Sequence, residues 1–172
     1  MSEQPTAHVL NVADVEETTY DGNRYFSARV KRLTPPHAGL GVRVNRVAPG
    51  QTACPFHSHQ LEHEVFIVTA GRGVLRYGEE LRELDPGDCV YCPAGTGVAH
   101  QLANPFDEDF VYFSIGTHDP NEVCVYPDNG KIMVRALKAV GALEKLPYLA
   151  GEPATPKIFE LFSGMDGVDS SD

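Results

Sequence analysis

The chain has 172 residues, of which 42% are hydrophobic and 9% aromatic, which is the composition of one globular domain with a packed core. Its net charge of −10 argues against binding to nucleic acid or to an anionic membrane surface. Because no apolar stretch approaches the ~20 residues of a membrane-spanning helix and the first residues lack a signal-peptide pattern, we expect a cytoplasmic protein.

Short extended segments separated by glycine and proline dominate the chain from residue 8 to residue 115. Apolar and polar residues alternate in many of them, as in strands that bury one face. The predicted strands cover residues 25–33, 41–47, 65–69, 74–77, 81–84, 90–92, 101–103 and 110–115. Strands of this length and spacing are typical of an antiparallel sandwich or a closed barrel.

The pattern changes after Lys131. Residues 132–145 contain no proline and place Val134, Leu137 and Gly141 at helical intervals, so we predict one short helix there. The small and acidic residues 165–172 predict a disordered, flexible tail.

Cys89 and Cys92 have the spacing of a metal-binding pair, but no second pair matches it. Both lie in the predicted strand over residues 90–92 or directly beside it. Residues three apart on a strand point to opposite faces, so neither a shared metal site nor a disulfide is expected.

Three histidines and one glutamate are spaced as ligands of a single metal ion. His57 and His59 are two residues apart, which places both rings on one face of a strand. Glu64 opens an apolar run, and His100 follows a Pro-Gly turn. Imidazoles with a carboxylate suit a divalent transition metal (Zn, Mn, Fe or Ni) better than Ca or Mg. Glu62 competes with Glu64, but the strand that starts at residue 64 favours Glu64.

Two motifs surround these four residues and carry a family resemblance. They read Gly50-x6-His57-x-His59-x4-Glu64-x6-Gly71 and Gly87-x5-Pro93-x-Gly95-x4-His100-x3-Asn104. Over residues 40–115 they resemble the paired motifs of the cupin superfamily, with one extra residue in each motif. The run over residues 125–131 is similar to single-domain cupins of a sugar-phosphate isomerase-like branch.

The resemblance implies an all-β fold, the double-stranded β-helix or jelly-roll barrel, over residues 40–131. Residues 1–39 would then add strands that pack on the barrel or exchange with a partner in a homodimer. Residues 132–172 would form an extension with the short helix and the flexible tail. The resemblance also implies that His57, His59, Glu64 and His100 hold the metal.

Four such ligands leave two positions open on a six-coordinate metal, where a substrate with adjacent oxygen atoms could bind. The metal would polarise the substrate, and a general base would be required. We predict Glu62 and Tyr126 as catalytic residues, with His63, Tyr91 and Tyr112 left open as alternatives. Glu62 and His63 could instead orient a metal ligand from the loop.

These observations predict a metal-dependent isomerase or lyase that acts on a small polar substrate of the sugar or hydroxy-acid type. An Fe(II)- or Ni-dependent dioxygenase is one alternative, because an open three-histidine centre also activates oxygen. A non-catalytic module that binds a metabolite through its metal is another, since a fold by itself implies no chemistry.

Overall fold

The computed structural model describes residues 7–36 and 38–165, so the tail predicted to be disordered lies outside the described residues except for its first residue. The chain divides into two compact units on either side of the bond between Ala142 and Leu143. Among its described residues, the first unit contains fourteen strands: β1 (Thr18–Asp21), β2 (Ser27–Arg32), β3 (Leu40–Val47), β4 (Gln51–Thr52), β5 (Ser58–His59), β6 (Glu64–Ala70), β7 (Gly73–Tyr77), β8 (Glu80–Leu84), β9 (Cys89–Cys92), β10 (His100–Asn104), β11 (Phe110–Thr117), β12 (Val123–Tyr126), β13 (Lys131–Val134) and β14 (Ala139–Ala142).

These strands form three antiparallel sheets. The largest has six strands in the order β1-β2-β3-β11-β6-β9, and the others have the orders β4-β10-β7-β8 and β14-β13-β12-β5. All the strands predicted from alternation are present, and their ends agree within two residues. Most sheet neighbours are distant in sequence, which is the connectivity of a jelly roll rather than of a simple meander.

The core lies between the six-stranded sheet and the sheet that contains β7, β8 and β10. Alternate residues of each strand point into it, so that β6 contributes Phe66 and Val68 and β10 contributes Leu102. Phe110 of β11 is completely buried at its centre. Two sheets with one apolar face each therefore enclose a common core, which confirms the predicted all-β jelly-roll fold.

The helix predicted over residues 132–145 is wrong in position, because that segment forms the hairpin of β13 and β14. A turn ending at Lys138, whose φ is 50°, joins the two strands. Ile132, Val134 and Val140 are β-branched and favour strands, and Gly141 disfavours a helix interior. Apolar residues three to four positions apart in so short a segment are compatible with either a helix or a β-hairpin, so the spacing did not distinguish them.

The second unit contains the one α-helix of the described residues, α1 (Lys157–Met165). It begins directly after Pro156, whose carbonyl accepts a hydrogen bond of 2.9 Å from the backbone nitrogen of Phe159. No helix within residues 7–36 and 38–165 has the length and apolar character needed to cross a bilayer.

Gly73 marks a position where the core tolerates no side chain. A Cβ atom added there would clash with the ring of Phe110. We expect Gly73→Ala to lower the free energy of unfolding by about 1–3 kcal/mol, because the buried ring must move. Urea denaturation followed by circular dichroism measures the change.

Gly141→Ala in β14 is the matched control, because a Cβ atom at Gly141 would meet no atom within 4 Å. Equal losses of stability in the two variants would show that the contact with Phe110 is unimportant.

Candidate metal centre

Four side chains converge in the first unit: His57, His59, Glu64 and His100. Their donor atoms all lie within 4.8 Å of one another. The Nε2 atoms of His57 and His59 are 3.0 Å apart, and Glu64 Oε2 lies 3.1 Å from His59 Nε2 and 2.9 Å from His100 Nε2. None of the four side chains is more than 11% exposed. The structure thus brings together all four residues that the sequence predicts as ligands.

Backbone pairing holds these residues in place. His57 and His100 exchange two backbone hydrogen bonds of 3.1 and 2.8 Å, which sets their side chains beside each other. His59 lies opposite Cys124 of β12, and Glu64 is the first residue of β6. The cluster therefore forms only when segments from β5 to β12 have assembled.

Further contacts turn the imidazole rings toward one another. His57 Nδ1 lies 2.8 Å from the carbonyl oxygen of Pro55, so this nitrogen carries the hydrogen and Nε2 presents its lone pair to the cluster. His59 Nδ1 lies 3.3 Å from Cys124 Sγ and 3.4 Å from Glu122 Oε1. Glu122 is fully buried, and its contact with Nδ1 fixes the orientation of the His59 ring.

The electrostatics of the cluster favour a positive charge at its centre. Burial lowers the pKa of His57 to about 4, and nearby His100 acts in the same direction. Burial also opposes protonation of His59, but its hydrogen bonds to Cys124 and Glu64 outweigh burial and raise the pKa of His59 to about 10. Burial would raise the pKa of Glu64, yet hydrogen bonds from His100 and His59 hold it well below its usual range.

The spacing of the donor atoms fits a transition metal. Two ligands at right angles on a metal with bonds of about 2.1 Å lie about 3 Å apart. Three of the donor pairs are separated by 2.9, 3.0 and 3.1 Å. Three imidazole nitrogens and one carboxylate oxygen are also the donor types that Zn, Mn, Fe and Ni accept.

Glu62 lies beside the cluster rather than in it. One of its oxygens accepts a hydrogen bond of 2.7 Å from the backbone nitrogen of Asp119, and both oxygens are bound by the guanidinium of Arg135. The other oxygen is 3.7 Å from His59 Nδ1. The catalytic role of Glu62 stays a prediction, but these contacts suit a residue that positions a neighbour. Sequence reasoning missed Arg135, because it lies 73 residues from Glu62.

The tyrosines and His63 occupy different surroundings. The Tyr126 ring stacks on His57 with 6.0 Å between centroids, and burial raises the pKa of Tyr126 to about 12. Tyr112 belongs to the core, where burial raises the pKa of its hydroxyl well above the usual range. Tyr91 Oη lies 2.8 Å from the Nδ1 atom of the exposed His63. The catalytic role predicted for Tyr126 stays a prediction.

The four cysteines are free thiols, as the strand spacing predicted for Cys89 and Cys92. Cys89 is exposed, whereas Cys92 on the opposite face of β9 is buried. Burial and the charge of Glu64 raise the pKa of Cys92 to about 12, so this thiol stays protonated at neutral pH.

The cluster opens onto a cavity of about 620 Å³. His57, His59 and Glu64 line part of its wall. A smaller cavity of about 240 Å³ also touches His57 and Glu64. The wall of the larger cavity includes further charged or titratable residues that no local sequence motif marks: Arg32, Arg43, His118 and Arg135.

Comparison with known proteins identifies the fold family. Residues 43–116 match the family model of the cupin domain, and this segment contains all four residues of the cluster. No match was found among curated proteins.

Several solved structures are similar over most of the chain. A "putative sugar phosphate isomerase" from Acidithiobacillus ferrooxidans has 22% identity and a TM-score of 0.70, over 81% of this chain and 96% of its own. A "sugar phosphate isomerase from a cupin superfamily" of Silicibacter pomeroyi has 25% identity and a TM-score of 0.69, over 83% and 97%. A "predicted oxalate decarboxylase" from Thermotoga maritima, with 16% identity and a TM-score of 0.56 over 63% and 97%, shares the fold alone.

Removing one donor should empty the proposed metal site. We expect protein purified without chelator to hold about one transition-metal ion per chain, and His57→Ala to hold far less, because the remaining donors bind more weakly. Elemental analysis measures the content. His63→Ala, which removes an exposed histidine outside the cluster, should keep its metal. Equal metal in wild type and His57→Ala would mean that the ligands are wrongly assigned.

The pair formed by Arg135 and Glu62 should stabilise the fold. We expect Arg135→Ala to lower the free energy of unfolding by about 1–3 kcal/mol, because the buried Glu62 carboxylate loses its charged partner. Adding Glu62→Gln should recover part of the loss. Arg72→Ala, which removes an exposed pair with Glu83 at 3.6 Å and a contact of 4.1 Å with the Phe106 ring, should change stability by about 0–1 kcal/mol. A loss for Arg135→Ala no larger than that of Arg72→Ala would contradict the expectation.

Proposed function

We propose that this chain, which belongs to the cupin superfamily, is a metal-dependent isomerase or lyase for a small oxygenated substrate of the sugar or hydroxy-acid type. The observation that carries the proposal is the position of the cluster at the wall of a cavity of about 620 Å³. A purely structural metal site is closed by its protein ligands, whereas an open one can accept a substrate. The name of one similar structure, the "sugar phosphate isomerase from a cupin superfamily" with 25% identity, supports the same substrate class.

His57, His59, Glu64 and His100 would hold one divalent transition metal, which supplies a Lewis acid beside the substrate oxygen atoms. The surrounding protein keeps these ligands oriented through Pro55, Glu122 and Cys124. Polar residues on the cavity wall bind the substrate, and a separate group must move the proton.

We assign the proton transfer to His118 by elimination. Among the titratable groups of the cavity wall, the cluster residues face one another, and Glu62 and Arg135 bind each other. Arginine stays charged at all relevant pH values. His118 is exposed, and its side chain has no hydrogen-bond or carboxylate partner within the part of the chain that the structure describes. Histidine is also the side chain most often used for general acid–base catalysis.

Glu62 and Tyr126 take supporting roles in this proposal. Glu62 joins the loop after β5 to Arg135 and lies near His59, so it positions a metal ligand. Tyr126 stays protonated and stacks on His57, so it holds the imidazole ring of that second metal ligand in place.

Incorporation of solvent deuterium tests the reaction on several classes of compound at once. Metal-loaded protein in D₂O under nitrogen is incubated with hydroxyketones, aldoses, their phosphates and α-hydroxy acids, and the products are followed by NMR. We expect exchange of the hydrogen next to the carbonyl group in at least one compound. His118→Asn should slow this exchange at least about a hundredfold and leave the metal content unchanged, because only the base is lost.

His63→Asn is the control, since His63 contacts Tyr91 and does not line the cavity. Exchange at the wild-type rate in His118→Asn would remove His118 from the mechanism. Saturable binding of a compound without exchange would indicate a metabolite-binding module. Consumption of oxygen by the iron-loaded protein, with no reaction under nitrogen, would indicate a dioxygenase. Either result would overturn the proposed function.

A further inference from the structure

Two exposed arginines line the wall of the cavity beside the metal cluster. Arg32 ends β2 and lies directly opposite Arg43 of β3. Alternate residues of these strands point inward, because Ala28 and Val30 of β2 and Asn45 of β3 are all buried. Arg32 and Arg43 continue these two rows at the open end of the strands, so their side chains lie on the same face of the sheet but are exposed to solvent there.

The outward-facing arginines of the same strands have conventional partners. Arg29 and Arg46 both pair with Glu17 at 3.7 Å and with Asp109 at 2.6 and 3.4 Å. These contacts place balanced charges on the outer surface. The inward pair lacks such a balance, which points to a different role.

The charge of the inward pair is largely uncompensated. Arg32 has no carboxylate within 4.0 Å in residues 7–36 and 38–165. Arg43 contacts only Glu64, at 3.9 Å, and donates a hydrogen bond of 3.4 Å to Ser114 Oγ. Like charges directly opposite each other on neighbouring strands destabilise a sheet. An anion bound between the two guanidinium groups would remove that repulsion.

The position of the pair suits a substrate group. Arg32 and Arg43 line both the cavity of about 620 Å³ and that of about 240 Å³, together with His57 and Glu64. In a chain with a net charge of −10, two exposed arginines on the wall of one cavity create a local region that attracts anions. The planar guanidinium matches two oxygens of a phosphate or a carboxylate at once.

We infer that Arg32 and Arg43 bind an oxyanion group of the substrate, a phosphate or a carboxylate, while its hydroxyl or carbonyl oxygens face the metal cluster. This inference rests on the proposed function and narrows its substrate class to anionic compounds. Arg135, the third arginine of the cavity, takes no part because it is bound to Glu62.

Calorimetric titration of the metal-loaded protein with inorganic phosphate and, separately, with malonate tests the site. We expect Arg32→Gln to raise the dissociation constant of the tighter-binding probe about tenfold or more, because two charge-assisted hydrogen bonds are lost. The dissociation constant of Arg32→Lys should lie between those of the wild type and Arg32→Gln, because lysine keeps the positive charge but lacks the planar guanidinium. Arg82→Gln is the matched control, an exposed arginine of β8 outside both cavities.

Tighter binding of phosphate supports a phosphorylated substrate, and tighter binding of malonate supports a carboxylate. The inference would be overturned if Arg32→Gln bound the probe as tightly as the wild type, or if Arg82→Gln lost as much affinity. It would also be overturned if neither probe bound the wild type at 10 mM, since even a weak site has a dissociation constant of about 1 mM. Metal content measured on the same samples, together with deuterium exchange, reports on the proposed function separately. Arginine-dependent binding without exchange would therefore retain the anion site and overturn only the reaction.

Discussion

The jelly roll is organised around an electrostatic constraint, the crowding of four electron-rich donor atoms in its interior. The Nε2 atoms of His57 and His59 lie 3.0 Å apart, and the Glu64 carboxylate accepts hydrogen bonds from both His59 and His100. Such an arrangement is costly in a region of low dielectric unless a positive charge lies among the donors. Three donors lie within residues 57–64, and the backbone pairing of His57 with His100 brings the fourth to them, so the cluster is complete only when these two segments have paired.

Two sets of residues surround the cluster and serve different ends. Behind the rings, Pro55, Glu122 and Cys124 provide acceptors that fix their orientation. In front of them, Arg32 and His118 line the cavity and have no committed partner among the described residues. The first set orients the rings of the cluster, and the second leaves a guanidinium and an imidazole available to contact a bound molecule.

The sequence predicted what depends on local spacing. Alternation located the main strands because each buries one face, and the His-x-His pattern with Glu64 and His100 located the cluster. The helix over residues 132–145 was misplaced because the same spacing fits a hairpin that pairs with β12. Arg32 and Arg43 meet only across β2 and β3, so no pattern along the chain reveals that they are neighbours.

The matched segment supplies only part of the cavity wall. Residues 43–116 include every cluster residue, whereas Arg32, His118 and Arg135 fall outside that segment. In the proposed function, Arg32 and His118 lie outside the matched segment and contact the substrate, so related chains can share the cluster and act on different molecules. Exchanging the cavity-lining segments before residue 43 and after residue 116 between related chains, with the cluster left unchanged, would then be the direct way to alter substrate specificity.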